Sequence, residues 1–253
     1  MLPLSGYAQD AEELAKKLSN PVAAMISVPL QYNDDHHYGT GTAEQGHKSV
    51  LNIQPVVPIS LNAEWNVISR TILPVISQSN VQPGSSQSGI GDITQSLFFS
   101  PKQPTAGGLI WGAGPAFLLP TGSEPELSAR KWGIGPTVVL LKQEGAWTYG
   151  VLANHIWGGG GVSSRPDVSN TFLQPFLSHT TKDAWTYGIN TESNYDWKNK
   201  QWSVPINLTV SKLVKFGNQP VSLGAGLRYW ADGPDSGPHD WGLRLIATFL
   251  FPR

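Results

Sequence analysis

The chain has 253 residues, no cysteine and a formal net charge of −1, and only 14% of its residues are charged. Near-neutrality leaves no electrostatic footprint for a nucleic-acid partner, and the charged fraction is well below the roughly 25% of an average soluble domain. The 10 Trp and 27 Gly are both high, and no apolar run is long enough for a transmembrane helix, so the route across a bilayer that stays open is a β-barrel, whose strands need apolar residues only at alternate positions.

In chain order, Met1 to Gln9 reads MLPLSGYAQ, and Gly6-Tyr7-Ala8 has the small-x-small form of a signal-peptide cleavage end. Residues 1–8 are therefore expected to be the remnant of an export signal. Absence of cysteine is compatible with an oxidising envelope compartment. Residues 9–21 hold the only helical pattern. Ala11, Leu14, Ala15 and Leu18 follow i, i+3, i+4, i+7 spacing from Asp10 to Asn20, with Asp10 as cap and Pro21 as stop. So short a helix must dock to persist. Leu14 and Leu18 would seat it inside the barrel as a partial plug; the equal alternative leaves it in the periplasm.

Residues 22–253 read as one barrel of strand-like runs. These are Ala23–Tyr32, Ser49–Val57, Ser60–Pro74, Gly91–Ser100, Leu109–Leu119, Lys131–Lys142, Ala146–Trp157, Asn170–Thr180, Ala184–Trp197, Gln201–Val214, Pro220–Trp230 and Asp240–Phe251. The clearest pair spans Ala184 to Val214. There Trp185, Tyr187 and Ile189 alternate with Thr186, Gly188 and Asn190, and Trp202, Val204, Ile206 and Leu208 alternate with Ser203, Pro205, Asn207 and Thr209. A period of two over ten or so residues gives a strand with two unlike faces, and that length exceeds an ordinary globular strand. The expected fold is all-β: a transmembrane, antiparallel, up-and-down barrel of twelve strands with a short N-terminal helix, in the bacterial outer membrane among its lipids.

Connections after odd-numbered runs are long, as at Asn33–Lys48 and Val75–Ile90, with only Lys198–Lys200 short, whereas those after even-numbered runs are short, as at Glu144-Gly145, with Ser100–Gly108 the longest exception. With long loops outside and short turns in the periplasm, Trp132, Trp157, Trp197, Trp202 and Trp241 should form the outer aromatic girdle and Trp147 and Trp185 the inner one. Ala146–Gly150 (AWTYG) recurs at Ala184–Gly188, one girdle solution used twice. A soluble barrel would invert the same alternation; strand length, loop asymmetry and Trp at both ends favour the membrane. Six prolines, Pro29, Pro55, Pro115, Pro136, Pro175 and Pro205, fall inside runs, where each removes a ladder donor.

The polar parity is where function should lie. It carries Glu64, Asn66, Arg70, Asn190, Glu192, Asn207, Arg228 and Arg244. Charges inside a membrane barrel are costly unless they face water or one another. They are expected to line a solute path, or to form an internal network that fills a narrow lumen. The pairs Gly112/Gly114, Gly133/Gly135 and Gly224/Gly226 give a smooth wall on which another segment, such as the helix, could lie. Asp34, Asp35, His36, His37 and His47 crowd the first outer loop; their spacing matches no defined metal site, so a solvated loop is expected. A lipid-modifying enzyme would need a base and hydroxyl facing lipid; His155 and Thr171 are the candidates, with no orienting acid in evidence. No catalytic residue, metal or cofactor is implied. An adhesive barrel would act through its loops, which show no repeat.

The stretch AEELAKKLSNPVAAMISVPLQYN, Ala11 to Asn33, resembles a bacterial family of outer-membrane proteins filed under the meta-pathway of phenol degradation, often labelled transporter and sometimes neuromedin U by misannotation. The ending Phe249 to Arg253 (FLFPR) fits the same group. The resemblance implies an outer-membrane channel or transporter for small solutes, hydrophobic or aromatic compounds among them. It also implies a C-terminal strand read by the barrel-assembly machinery; the extra Pro252-Arg253 departs from a final aromatic. It carries no defined site residues.

Overall fold

The computed structural model describes residues 4–40 and 45–251. Residues 1–3 of the expected export remnant and the terminal Pro252-Arg253 lie outside them. Helix α1 (Leu4–Leu18) is followed by twelve strands. They are β1 (Ile26–Tyr38), β2 (Gly46–Ile53, resumed at Val56–Ser60), β3 (Trp65–Ser79), β4 (Ser86–Ile90, resumed at Ile93–Pro101), β5 (Leu109–Leu119) and β6 (Lys131–Glu144). The second half holds β7 (Trp147–Gly161), β8 (Val168–Thr180), β9 (Trp185–Thr191, resumed at Ser193–Asp196), β10 (Gln201–Phe216), β11 (Gln219–Asp232) and β12 (Asp240–Phe251).

Every strand pairs antiparallel with its chain neighbour. β12 pairs back onto β1, from Ile26↔Phe251 to Asp34↔Leu243, and that ladder closes the barrel. Closure removes both sheet edges, as hydrocarbon demands. The side chains sort by parity as the alternation requires. Leu208, Leu227, Leu243 and Leu245 are exposed on the outer face, while Arg244 between the last two is 1% exposed. This is a membrane barrel of the outer-membrane type, apolar outside and polar within. A soluble barrel would reverse the two faces.

Several boundaries shift. β1 continues to Tyr38 and β3 to Ser79, which shortens the first two loops to residues 39–45 and 80–85. The turn between β2 and β3 lies at residues 61–64 rather than at Pro58, because the Asn62 side chain accepts the backbone N–H of Glu64 and of Trp65 and folds the chain there. The helix begins at Leu4 rather than Asp10, inside the stretch expected as export remnant.

The glycine pairs do not receive the helix. A Cβ on Gly114 would strike the Leu97 carbonyl, one on Gly135 the His155 carbonyl, and one on Gly226 the Leu208 carbonyl. These are approaches of neighbouring strands, which only glycine permits. Gly112 alone of the six meets a segment ahead of the barrel, the Val22 side chain. Gly114→Val is expected to lower barrel stability by about 1–3 kcal/mol through forced overpacking. Gly159→Val, whose Cβ would meet open space, should stay near wild type. Urea unfolding followed by the heat-modifiable gel shift compares the two.

Candidate functional site

Charge gathers in the half of the lumen nearer the long loops. The Glu192 carboxylate is held by two arginines from neighbouring strands: Arg244 donates at 2.6 Å and 3.1 Å, and Arg228 at 3.2 Å. Arg244 also donates through Nε to Asn33 Oδ1 at 2.7 Å. Asp35 takes the Trp230 indole N–H at 2.8 Å, and its same oxygen lies 3.1 Å from Arg228 Nε. That last approach is off the N–H direction, so it is a charge contact rather than a hydrogen bond. The Arg228 guanidinium sits 4.7 Å over the Trp230 ring. Asn207 donates to Asn190 Oδ1 at 2.8 Å and extends the network along β9 and β10.

The wall is broken where this network needs it. Glu192 sits in the gap of β9, off the ladder, between Thr191 and Ser193. On the flanking strands the rungs at this level carry Pro175 of β8 and Pro205 of β10. In register, Pro205 stands opposite Glu192 and Pro175 opposite Thr191, and neither has an N–H to lose where the ladder lapses, so the gap costs few donors while the Glu192 side chain turns inward. The break in β2 follows the same rule. Gln54 and Pro55 leave the ladder, with the Gln54 N–H bonding the Pro29 carbonyl instead. In β4 the gap at Gly91-Asp92 lies beside Pro74, whose carbonyl takes the Gly91 N–H. Asp92 then accepts from Gly122, Ser128 and Ala129 and draws the 120–130 loop to the rim. Pro115 and Pro136 share one rung, so two missing donors cost one place in the ladder.

Arg70 stands apart from the two saturated arginines. Its side chain donates to Gln54 Oε1 at 3.0 Å, and no carboxylate lies within 4.0 Å of it among the described residues. Lys48 on β2 is likewise without an ion pair there. Arg70 lines three lumen cavities, of about 270, 180 and 310 Å³, and so marks their junction. Lys48 lines the third with Asp35, Glu192 and Arg228. The second is half apolar, with Ile72, Leu118, Ile156 and Phe172 beside Arg70, Asn154 and Asn194.

Toward the short turns the lumen fills. Val22, Ile68, Phe98, Val139, Leu141 and Leu152 form a buried cluster with Phe172 and Phe176 against it. Beside it α1 sits in the turn-side mouth. Ala11, Leu14, Ala15 and Leu18 pack with Met25, Ala184, Leu213 and Leu250, and Gln143 donates to the Lys16 carbonyl at 2.9 Å. The first cavity runs past the helix end, between Leu18 to Pro21 and the wall.

Of the residues expected on the path, Asn190, Glu192, Asn207, Arg228 and Arg244 come together in one network, and Arg70 stands beside it. Asn66 is buried lower on β3. Glu64 does not belong: it has the lumen parity but is exposed in the 61–64 turn, beyond the end of β3. Trp132, Trp147, Trp157, Trp185, Trp197, Trp202 and Trp241 are all exposed on the outer face. Asn33, Asp35, Lys48 and Gln54 are not among the expected path residues: a run ending at Tyr32 leaves out the first two, a loop through Lys48 leaves out the third, and Gln54 lies unremarked inside the run Ser49–Val57. Carrying the β1 parity on to Tyr38 would have found the first two. The expected loop cluster is split: Asp35 points into the lumen, while Asp34, His36 and His47 meet on the outer face.

The lipid-facing pair also forms. His155 and Thr171 are cross-strand partners with Nδ1 2.7 Å from Oγ1, and the Trp197 indole N–H donates to the same hydroxyl at 2.8 Å. Thr171 thus relays between an indole and an imidazole. His155 Nε2, where an orienting group would have to sit, has no hydrogen-bond partner among the described residues, which does not favour nucleophilic chemistry.

The sequence matches no protein-family model and no curated protein. Among solved structures, the chain is similar to the COG4313 outer membrane channel from Pseudomonas putida F1, with 14% identity and a TM-score of 0.68 over 90% of this chain and 96% of that one. It is also similar to the outer membrane phospholipase A from Escherichia coli, with 11% identity and a TM-score of 0.51 over 89% and 96%. At such identities the likeness is one of fold, and the fold is that of a bacterial outer-membrane barrel.

Glu192→Gln leaves Arg228 and Arg244 facing each other without their shared carboxylate. Breaking a buried ion network in this way costs about 3–5 kcal/mol, so the urea midpoint should fall clearly. Glu64→Gln, on the exposed turn, should leave it within about 0.5 kcal/mol of wild type.

Proposed function

We propose that the barrel is a passive channel for small solutes, and that it favours those joining an anionic group to an apolar or aromatic body. The observation that carries this reading is Arg70: a lumen-facing cation at the junction of three cavities whose side chain donates to a neutral amide, that of Gln54. Glu192 is occupied by two arginines and Asp35 by Arg228 and Trp230. Counting Lys48, Arg70, Arg228 and Arg244 against Asp35 and Glu192, these six groups carry an excess of two positive charges. A charged ring in a narrow pore selects by sign. Ile72, Leu118 and Phe172 offer the apolar side of such a solute a surface beside the guanidinium.

In this reading α1 is a partial plug. Leu14 and Leu18 fasten it in the turn-side mouth, and the cavity past Leu18 is the constricted way through. The last strand, ending in Phe249 and Phe251, is the handle for the barrel-assembly machinery, and lipids surround the girdles. The apolar cluster of Val22, Ile68 and Phe98 supports a second reading, a structural barrel with a filled lumen.

Planar bilayers under a salt gradient separate the two. Wild type should conduct with a reversal potential of anionic sign, and Arg70→Ala should reduce the anion preference at least about twofold. Deleting residues 9–20 should raise single-channel conductance. Swelling of liposomes with benzoate should outpace swelling with a neutral sugar of similar size. A wild-type barrel that passes no current, with the helix present or deleted, would leave the filled lumen as the answer; cation preference would remove Arg70 from the selecting role.

A further inference from the structure

The first hairpin carries a cluster on its outer face that the lumen does not use. β1 presents Asp34 and His36 there, and β2 presents His47 and Ser49. The ladder fixes Asp34 opposite Ser49, and a register shift between Asp35 and Tyr38 breaks it just above. Irregularities of this kind re-aim side chains. Here both imidazoles end on one carboxylate: His36 Nε2 lies 3.0 Å from Asp34 Oδ2, and His47 Nε2 lies 2.7 Å from Asp34 Oδ1. The three ligand atoms are all within 4.8 Å of one another. The two rings are 4.7 Å apart.

The surroundings favour a cation. Asp34 is on the face that is apolar lower down, opposite Leu243 of β12. Among the described residues no Lys or Arg lies within 4.0 Å of its carboxylate. Ser49 Oγ–H donates to Oδ1 at 2.7 Å, and the Tyr32 hydroxyl is 3.1 Å from the same oxygen. These contacts hold Oδ1 and leave Oδ2 as the freer oxygen. Outer hydrogen bonds of this sort orient a ligating carboxylate. His36 and His47 are reachable from loop-side water, with side chains 48% and 38% exposed.

We propose that Asp34, His36 and His47 bind one divalent transition-metal cation of the zinc or copper class. The Nε2 atoms of both histidines and one oxygen of Asp34 supply three ligands, and water completes the shell. Ligands about 2.0–2.2 Å from such an ion lie about 3–3.5 Å from one another. The 3.0 Å approach of His36 to Oδ2 already fits, and His47, whose Nε2 lies on Oδ1 with all three ligand atoms within 4.8 Å of one another, closes to that spacing by a shift of its side chain. Two imidazoles in a set of three select against calcium and magnesium, which take shells of oxygen. The ion would pin β1 to β2 at the loop-side rim. His37, whose Nδ1 lies 3.5 Å from Asp240 Oδ2, stands outside the set.

The test is calorimetric titration of Zn²⁺ into the tag-free, detergent-purified full chain, with folding of each variant verified by its heat-modifiable gel shift. One Zn²⁺ should bind per barrel and raise the unfolding temperature, with millimolar Mg²⁺ or Ca²⁺ failing to compete. Asp34→Asn and the double variant His36→Ala/His47→Ala should each weaken binding at least about tenfold and lose the thermal shift. His37→Ala should bind as wild type does. Absence of saturable Zn²⁺ binding, wild-type affinity in the folded double variant, or displacement by Ca²⁺ would each overturn the site.

Discussion

A peptide group in hydrocarbon has no water to bond with, and each one left unpaired costs several kcal/mol. This chain answers that constraint with the ladder between β1 and β12, from Ile26↔Phe251 to Asp34↔Leu243. Once that seam closes, no edge remains, and every side chain must face lipid or lumen. The outward leucines and the inward Arg244 on β12 are consequences of one pleat. Lumen chemistry is therefore a by-product of wall geometry: position along the strand sets depth, and parity sets side.

The same constraint explains why the wall breaks where it does. A released peptide is tolerated only if its neighbours do not lose partners by its release. Prolines meet that condition because they carry no N–H. Pro175 and Pro205 flank the gap at Glu192, and Pro29 and Pro55 attend the gap at Gln54. Each gap delivers a polar side chain to an arginine: Glu192 to Arg228 and Arg244, and Gln54 to Arg70. Residues that look like flaws in a strand pattern thus set the functional geometry of the lumen.

Period two was legible along nearly the whole chain. It yielded the strand number, the lipid-facing tryptophans and five members of the lumen network, because alternation is imposed by the bilayer at every rung. The ends of strands were not legible in the same way. Parity carries no information about where a ladder stops, so Glu64 reads as part of the path although Asn62 turns the chain before it. Polar content misled in the opposite direction at Asn33 to Tyr38. A stretch rich in Asn, Asp and His reads as a loop, yet it continues β1 because Asn33 and Asp35 turn into the lumen, where Arg244, Arg228 and Trp230 meet them. The role of the prolines was hidden as well, since it depends on which strands lie side by side.

Parity places Arg70, Arg228 and Arg244 in one class, and geometry divides them. Arg228 and Arg244 are nearly sequestered from solvent, and their charge is met within 3.2 Å by Glu192. Charge neutralised in place has little field left to offer a passing ion, and its contribution is to hold β9, β11 and β12 in register around the network. Arg70 has an amide for a partner and open volume on three sides. A cation so placed retains its demand for an anion, and in a low-dielectric enclosure that demand is stronger than at a surface. The three arginines share the lumen parity, and they differ in what the protein has already given them.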